Sequence, residues 1–239
     1  MKPQAPHISF SLILPCYNPI EGWEGRIIDS IARIKSLLPN DAFEVILVND
    51  GSIRGVNAKS ISMLDENIAH FVYVNLNENR GKGFAVRAGA KQAKTERLIY
   101  TDVDFPYLEE NLLKMYYSLR DQNSDLVIGL REEAYYKGIP SSRKRISLWY
   151  KALLKSLLKI PTSDTQAGLK ALSSQAKICL LACKTDGYLF DLELIKRCAL
   201  KNLKIEQQNI ELKPGIVLSK MPFKTLLKEF FNFLKILFA

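Results

Sequence analysis

Leu98-Ile-Tyr-Thr-Asp-Val-Asp-Phe-Pro-Tyr107 is a short apolar run that ends abruptly in two aspartates with a single residue between them. Residues two apart on a strand project to the same side, so Asp102 and Asp104 are expected to converge where the strand runs out. Carboxylates that close repel each other, and a cation relieves the repulsion. Oxygen ligands suit Mg²⁺ or Mn²⁺, which bind through one or two carboxylates together with substrate phosphates. Asp102 and Asp104 are therefore a candidate metal pair facing a diphosphate. Asp-x-Asp also arises in turns and helix caps, so its meaning depends on the rest of the chain.

Working outward, the segments before it share one design. Residues 8–14 are almost continuously apolar and stop at Pro15-Cys-Tyr-Asn-Pro19, which reads as a buried strand and a loop. Over 21–38, Ile27, Ile28, Ile31, Ile34, Leu37 and Leu38 recur at helical spacing, and Pro39-Asn40 closes that helix. A second buried strand over 43–48 ends in Asn49-Asp50-Gly51-Ser52. A helix near 57–66, a strand over 70–76, a helix over 81–94 and the strand at 97–101 continue the alternation. Strands buried on both faces and separated by helices define an open, mostly parallel α/β sheet. Ligands of such sheets lie beyond the carboxyl ends of the strands. The loops at 15–18, 49–52 and 102–104 are thus expected to line one crevice.

Beyond the aspartates, the pattern predicts a helix over 108–119 and a strand over 125–130 leading to Arg131. A loop without clear period follows over 132–142, then an amphipathic segment over 147–158 with Lys151, Lys155 and Lys159 on one edge. After a polar loop at 161–168, helices near 174–182 and 190–201 and a strand over 204–212 complete the globular part. In the tail, Phe223, Leu226, Leu227, Phe230, Phe231, Phe233, Leu234, Leu237 and Phe238 make a wide apolar face, and Lys220, Lys224, Lys228 and Lys235 add charge. That pattern fits an amphipathic helix, either lying in an anionic membrane interface or docked on protein. We read residues 1–219 as one domain and 220–239 as this appendage.

With 239 residues, 47% of them hydrophobic and 25% charged, the composition is that of a globular protein. The net charge of +9 gathers in the second half and points to an acidic partner, either a phosphate ligand or a membrane surface. Nucleic acid is not expected, because no recognition motif or stacking set of aromatics accompanies the charge. The four cysteines have no Cys-x-x-Cys pair and read as small core residues of a reducing compartment. No signal-peptide region opens the sequence, and no segment reaches the ~18–20 apolar residues of a membrane span. The expectation is a soluble or peripheral protein.

Leu12-Ile-Leu-Pro-Cys-Tyr-Asn18, Val48-Asn-Asp-Gly-Ser52, Asn79-Arg-Gly-Lys-Gly83 and Tyr100-Thr-Asp-Val-Asp104, in this order and spacing, resemble a family 2 glycosyltransferase of the GT-A fold. Asp164-Thr-Gln-Ala-Gly-Leu-Lys170 and Tyr188-Leu-Phe-Asp-Leu-Glu-Leu194 are similar to the branch containing dolichyl- and polyprenyl-phosphate glucosyl- and mannosyltransferases. The chain departs from many relatives by carrying Leu169 and Lys170 in place of Phe and Arg, and it lacks the C-terminal membrane spans of some.

The resemblance implies a Rossmann-like, mostly parallel sheet flanked by helices, holding a UDP- or GDP-hexose. Pro15, Tyr17, Asn18, Asp50, Gly51 and Ser52 would hold the nucleoside, with Asp50 accepting from the base; a cap on the next helix is its other reading. Gly81 and Lys82 would serve the diphosphate, through free N–H groups at a helix start and the lysine charge. Asp102 and Asp104 would hold Mg²⁺ or Mn²⁺ while the sugar is displaced with inversion. The implied acceptor is a polyprenyl phosphate, already anionic and needing cations rather than a base. Arg131, Arg143 and Arg145, with Asp164 and Gln166, lie where the branch carries its acceptor site. Asp191 or Glu193 would act as base toward a hydroxyl of a saccharide or glycolipid, or else orient the donor sugar and cationic side chains. The implied location is cytoplasmic, peripheral at the inner membrane face. An inactive sugar-nucleotide-binding protein is the reading from a different class.

Overall fold

The computed structural model describes residues 8–131 and 167–214. Arg143, Arg145, Asp164 and Gln166, the amphipathic segment at 147–158 and the tail at 220–239 lie outside the described residues. In order, the chain forms β1 (Ile8–Cys16), α1 (Trp23–Leu37), β2 (Ala42–Asp50), α2 (Ala58–Asn67), β3 (Phe71–Leu76), α3 (Lys82–Gln92), β4 (Leu98–Tyr100) and α4 (Glu109–Asp121). It continues with β5 (Leu126–Arg131), β6 (Lys170–Leu172), α5 (Ser174–Leu181), α6 (Phe190–Leu200) and β7 (Ile205–Ile210).

Because the central strands β1, β2 and β4 are covered on both faces, their sequences are mostly apolar without alternation. Leu12 and Leu14 of β1 and Val45 and Leu47 of β2 face a core closed by Ile27, Ile31 and Ile34 of α1 and Leu112, Met115 and Tyr116 of α4. Their neighbours Ile13, Ile46 and Val48 face the opposite core, closed by Val86 and Ala90 of α3 and by Phe190, Leu194 and Ile195 of α6. Period-two pointing thus fills two separate cores. All four cysteines are buried and free, as expected of core residues, and burial pushes the Cys16 thiol up to about 12.

The sheet order is β3-β2-β1-β4-β6-β5-β7. The pairings β1–β2, β1–β4, β2–β3 and β5–β7 are parallel, and β6 runs antiparallel to both β4 and β5. Mostly parallel order was legible in the strand–helix alternation; the reversed three-residue β6 was not. Register aligns Cys16 with Asn49 and Ile13 with Tyr100, so β1, β2 and β4 end on one edge. No helix among the described residues is long and apolar enough to cross a membrane.

Candidate active site

The aspartate pair sits on that edge, but in a turn. β4 ends at Tyr100, the Phe105 amide donates to the Asp102 carbonyl at 3.0 Å, and Phe105 has φ 44°. The two carboxylates therefore approach through chain reversal and not through the strand pleat, because the strand stops before the first of them. Burial, then the Asp102 charge, raises the Asp104 carboxyl above its usual value, with Lys82 and Arg26 opposing. An electrostatic conflict of this kind is what a divalent cation resolves, and two hard oxygen donors fit Mg²⁺ or Mn²⁺ completed by phosphate. No third His, Cys, Asp or Glu joins them among the described residues.

Beside this turn, the loops after β1 and β2 are laced together. Asn18, at φ 47°, donates its amide to Ser52 Oγ at 2.9 Å, and its side-chain oxygen accepts from the Ile53 and Arg54 amides at 2.9 and 3.2 Å. Asn49 accepts from the Ser52 amide at 3.0 Å and donates to Asn75 at 2.8 Å. A cavity of about 540 Å³ lined by Asn49, Ser52, Asn57, Tyr73 and Asn75 adjoins them. Asn49 belongs to the 49–52 stretch expected to line the crevice, whereas Tyr73 and Asn75 escaped the sequence reading because they lie in a strand read as core. Pro15, the penultimate residue of β1, lies beside Val48, and Tyr17 is exposed.

Asp50 does not cap α2. Asn57 does so, in a reciprocal box with Ser60. The buried Asp50 carboxylate instead accepts from the Arg80 and Gly81 amides at 2.9 and 2.8 Å, tying β2 to the start of α3. Gly51 makes this possible. It has φ 67°, and a Cβ there would lie 2.3 Å from the Glu78 carbonyl carbon.

The start of α3 differs from expectation in one respect. The Gly83 and Phe84 amides, expected to be available to phosphate, donate to the Asp186 carbonyl at 2.8 and 3.3 Å. Asp186 is held there by Arg87, which also donates to the Thr185 carbonyl at 2.6 Å. Arg80 stacks its guanidinium 3.7 Å from the Phe84 ring centre. A segment distant in sequence thus satisfies the helix start, which leaves the Lys82 side chain as the charge α3 brings to the edge. Lys82 Nζ pairs with Asp102 Oδ1. Burial alone would lower the ammonium, but Asp102 and Asp191 reverse this and hold it above the ordinary lysine range.

Behind the turn, Asp191 and Glu193 occupy the first turn of α6. Asp191 accepts from the Tyr100 hydroxyl and pairs with Lys170 Nζ at 2.8 Å; Lys170 is wholly buried and also donates to the Ala167 carbonyl at 2.7 Å. Burial, then Asp191, raises the Tyr100 phenol well above its usual value and keeps it a donor. Glu193 accepts from the Lys184 and Thr185 amides at 3.0 and 2.8 Å and from Arg197 Nε at 2.8 Å. Burial alone would raise its carboxyl, but these bonds hold it below the usual 4.5. The unfolded chain therefore binds this proton more readily. Glu193 stabilises fully above the usual value, and that contribution is lost as the pH falls through the lowered one. Glu193→Gln is expected to flatten the decline in melting temperature between about pH 5 and pH 3, read by thermal melts of both proteins; parallel profiles would contradict it.

Arg131 ends β5 on the same edge. The Tyr107 phenol is raised to about 12 by burial, with Arg131 opposing and Asp102 adding, so both charges reach this ring. Tyr107 accepts from the Gly168 amide at 3.4 Å. Gly168 lies so close to the aspartate that a Cβ would fall 2.2 Å from Asp102 Oδ2. The structure thus brings Lys82, Asp102, Asp104, Arg131 and the loop at 167–169 together, with the Asn18–Ser52 lacing and Asp50 alongside. Tyr107, Arg26 and Lys170 were missed because each sits in a stretch whose apolar or helical pattern hides its partner.

An α/β sheet of this order, with an Asp-x-Asp turn beside a nucleotide-type crevice, is the GT-A architecture. Residues 11–179 match the model of "Glycosyl transferase family 2", and the chain belongs to that family. It is 25% identical over 217 residues to glycosyltransferase AglD of Haloferax volcanii, covering 87% of this chain and 33% of that protein. It is 27% identical over 227 residues to the dolichyl-phosphate beta-glucosyltransferase of Drosophila melanogaster, covering 86% and 67%. The chain therefore spans one third of the first relative's length and about two thirds of the second's. The fold is also similar to glucosyl-3-phosphoglycerate synthase from Mycobacterium tuberculosis, crystallised with Mn²⁺, UDP and glucosyl-3-phosphoglycerate. The TM-score there is 0.66 at 17% identity, covering 91% of this chain and 74% of the other.

Proposed function

We propose that the protein is a metal-dependent, inverting glycosyltransferase that moves a hexose from a nucleoside diphosphate sugar to a polyprenyl phosphate. The observation that carries the acceptor is the commitment of both later carboxylates. Asp191 is engaged by Lys170 and Tyr100, and Glu193 by two backbone amides and Arg197. A hydroxyl acceptor needs a carboxylate able to take its proton. A phosphate monoester, with its second pKa near 6, is anionic at neutral pH and attacks without one. The similarity to the Drosophila dolichyl-phosphate glucosyltransferase supports the same choice.

In this reading, Asp50, Asn18 and Ser52 frame the nucleoside, while Lys82 and the Asp102–Asp104 turn face the diphosphate. A bound Mg²⁺ or Mn²⁺ would supply charge neutralisation of the leaving diphosphate. Arg131 supplies a guanidinium fork to the acceptor phosphate, and Arg143 and Arg145 extend it in sequence. Asp191 and Glu193 act as positioning residues: one fixes β6 beneath the turn, the other fixes the segment that caps α3. The lysine- and phenylalanine-rich stretch at 220–239 provides peripheral contact with an anionic cytoplasmic membrane face.

Purified protein incubated with a panel of UDP- and GDP-hexoses, Mn²⁺ or Mg²⁺ and a short polyprenyl phosphate is expected to form a mild-acid-labile, alkali-stable lipid sugar. Its anomeric configuration should be opposite to the donor's. Transfer to free saccharides alone, or a retained anomer, would overturn the reading. Co-sedimentation with anionic vesicles is expected to drop when residues 220–239 are removed; unchanged binding would remove the tail from the membrane contact.

A further inference from the structure

The Asp102 carboxylate is paired on one oxygen and closely packed on the other. Oδ1 holds the Lys82 ammonium, and Oδ2 lies against Gly168, where even a methyl group would fall 2.2 Å away. The same hypothetical Cβ would lie 3.3 Å from Lys82 Nζ, so lysine, aspartate and loop form one contact. A divalent cation approaching Asp102 meets this ammonium, and two cations at that range repel strongly in a partly buried site.

The backbone that carries Lys82 is fixed. Asp50 holds the Arg80 and Gly81 amides before it, and the Asp186 carbonyl holds Gly83 and Phe84 after it. Its side chain is a point charge on a flexible four-carbon stem, which can change partner without moving the helix. Taking it from Asp102 with no replacement would leave a mostly buried charge unpaired. A diphosphate lying along this edge offers such a replacement.

We propose that Lys82 is a switch that couples cation binding to donor binding: it holds Asp102 until a diphosphate takes the ammonium, and Asp102 then becomes a ligand for the cation. This rests on the cation and diphosphate reading above. Coupling of this kind is reciprocal, so the cation raises nucleotide affinity by the same factor as the nucleotide raises cation affinity. It also keeps the site from filling with cation before donor arrives.

The test measures Mn²⁺ binding to the full chain by the electron paramagnetic resonance signal of the free ion, with and without UDP or GDP. Lys82→Gln is expected to bind Mn²⁺ alone about tenfold tighter than wild type, and the gain from added nucleotide should shrink by a similar factor. Lys82→Arg retains the charge and is expected to bind Mn²⁺ alone as wild type does. If the Gln variant does not fold, Lys82→Met gives the same comparison. Mn²⁺ binding that depends on Asp104 yet is no tighter in the neutral variant would overturn the switch while sparing the metal site. Absence of Mn²⁺ binding by wild type under either condition would overturn the cation reading and the switch with it.

Discussion

Asp104→Asn is expected to lower turnover on the order of a thousandfold, the scale set by losing one preorganised electrostatic contact to a developing charge. Its melting temperature is expected to stay unchanged or to rise. The two outcomes share a cause. Asp104 is half-buried next to Asp102, and this environment disfavours its charged form. Asparagine keeps the shape and removes the charge, so the Asp102–Asp104 repulsion disappears from the folded state. The same replacement removes the anionic oxygen that would hold the cation against the diphosphate. Steady-state turnover with the donor panel, beside thermal melts in the presence and absence of Mn²⁺, reads both effects. In wild type, Mn²⁺ with nucleotide is expected to raise the melting temperature, and in the variant this rise should be lost. Full activity would remove the metal role from Asp104, and a large loss of stability would show that the carboxylate holds the fold.

How far the chain itself foretold this site depends on the reach of each interaction. β1, β2 and β4 were legible because two-sided burial leaves continuous apolar runs, and the loops after them were legible because each run stops at polar residues. From there the carboxyl-edge rule was enough to bring Asp50, Asn18 and Asp102 together. The geometry within the edge was not legible. Asp102 and Asp104 approach through a turn closed by the Phe105 amide, whereas strand periodicity would have paired them across a pleat. The amides that start α3 are satisfied by Asp186, about a hundred residues away in sequence, through bonds that no local pattern encodes. Lys170 shows the limit most clearly. Between Leu169 and Ala171 it reads as one charge in a short apolar stretch, yet it is wholly buried, because its partner Asp191 is supplied by another element.

Lys170→Met should therefore have the largest stability effect of any replacement considered, a loss of about 3–5 kcal/mol, as expected when one member of a buried ion pair is removed. Its ammonium meets Asp191 Oδ1 at 2.8 Å and the Ala167 carbonyl at 2.7 Å, on a strand hydrogen-bonded to β4 on one side and β5 on the other. Methionine fills a similar volume but leaves Asp191 buried without its direct counter-charge. Urea denaturation with an unchanged slope would isolate this cost from any change in the unfolded state. Lys170→Met combined with Asp191→Leu should recover most of the loss, because an apolar pair of similar volume carries no desolvated charge. Turnover should not return with stability. The Ala167 carbonyl loses its lysine in both variants, and Ala167 adjoins Gly168, whose backbone lies against Asp102 Oδ2. A double variant that regains both stability and activity would mean that the pair only maintains the fold; one that regains stability alone assigns it to positioning the Asp102–Asp104 turn.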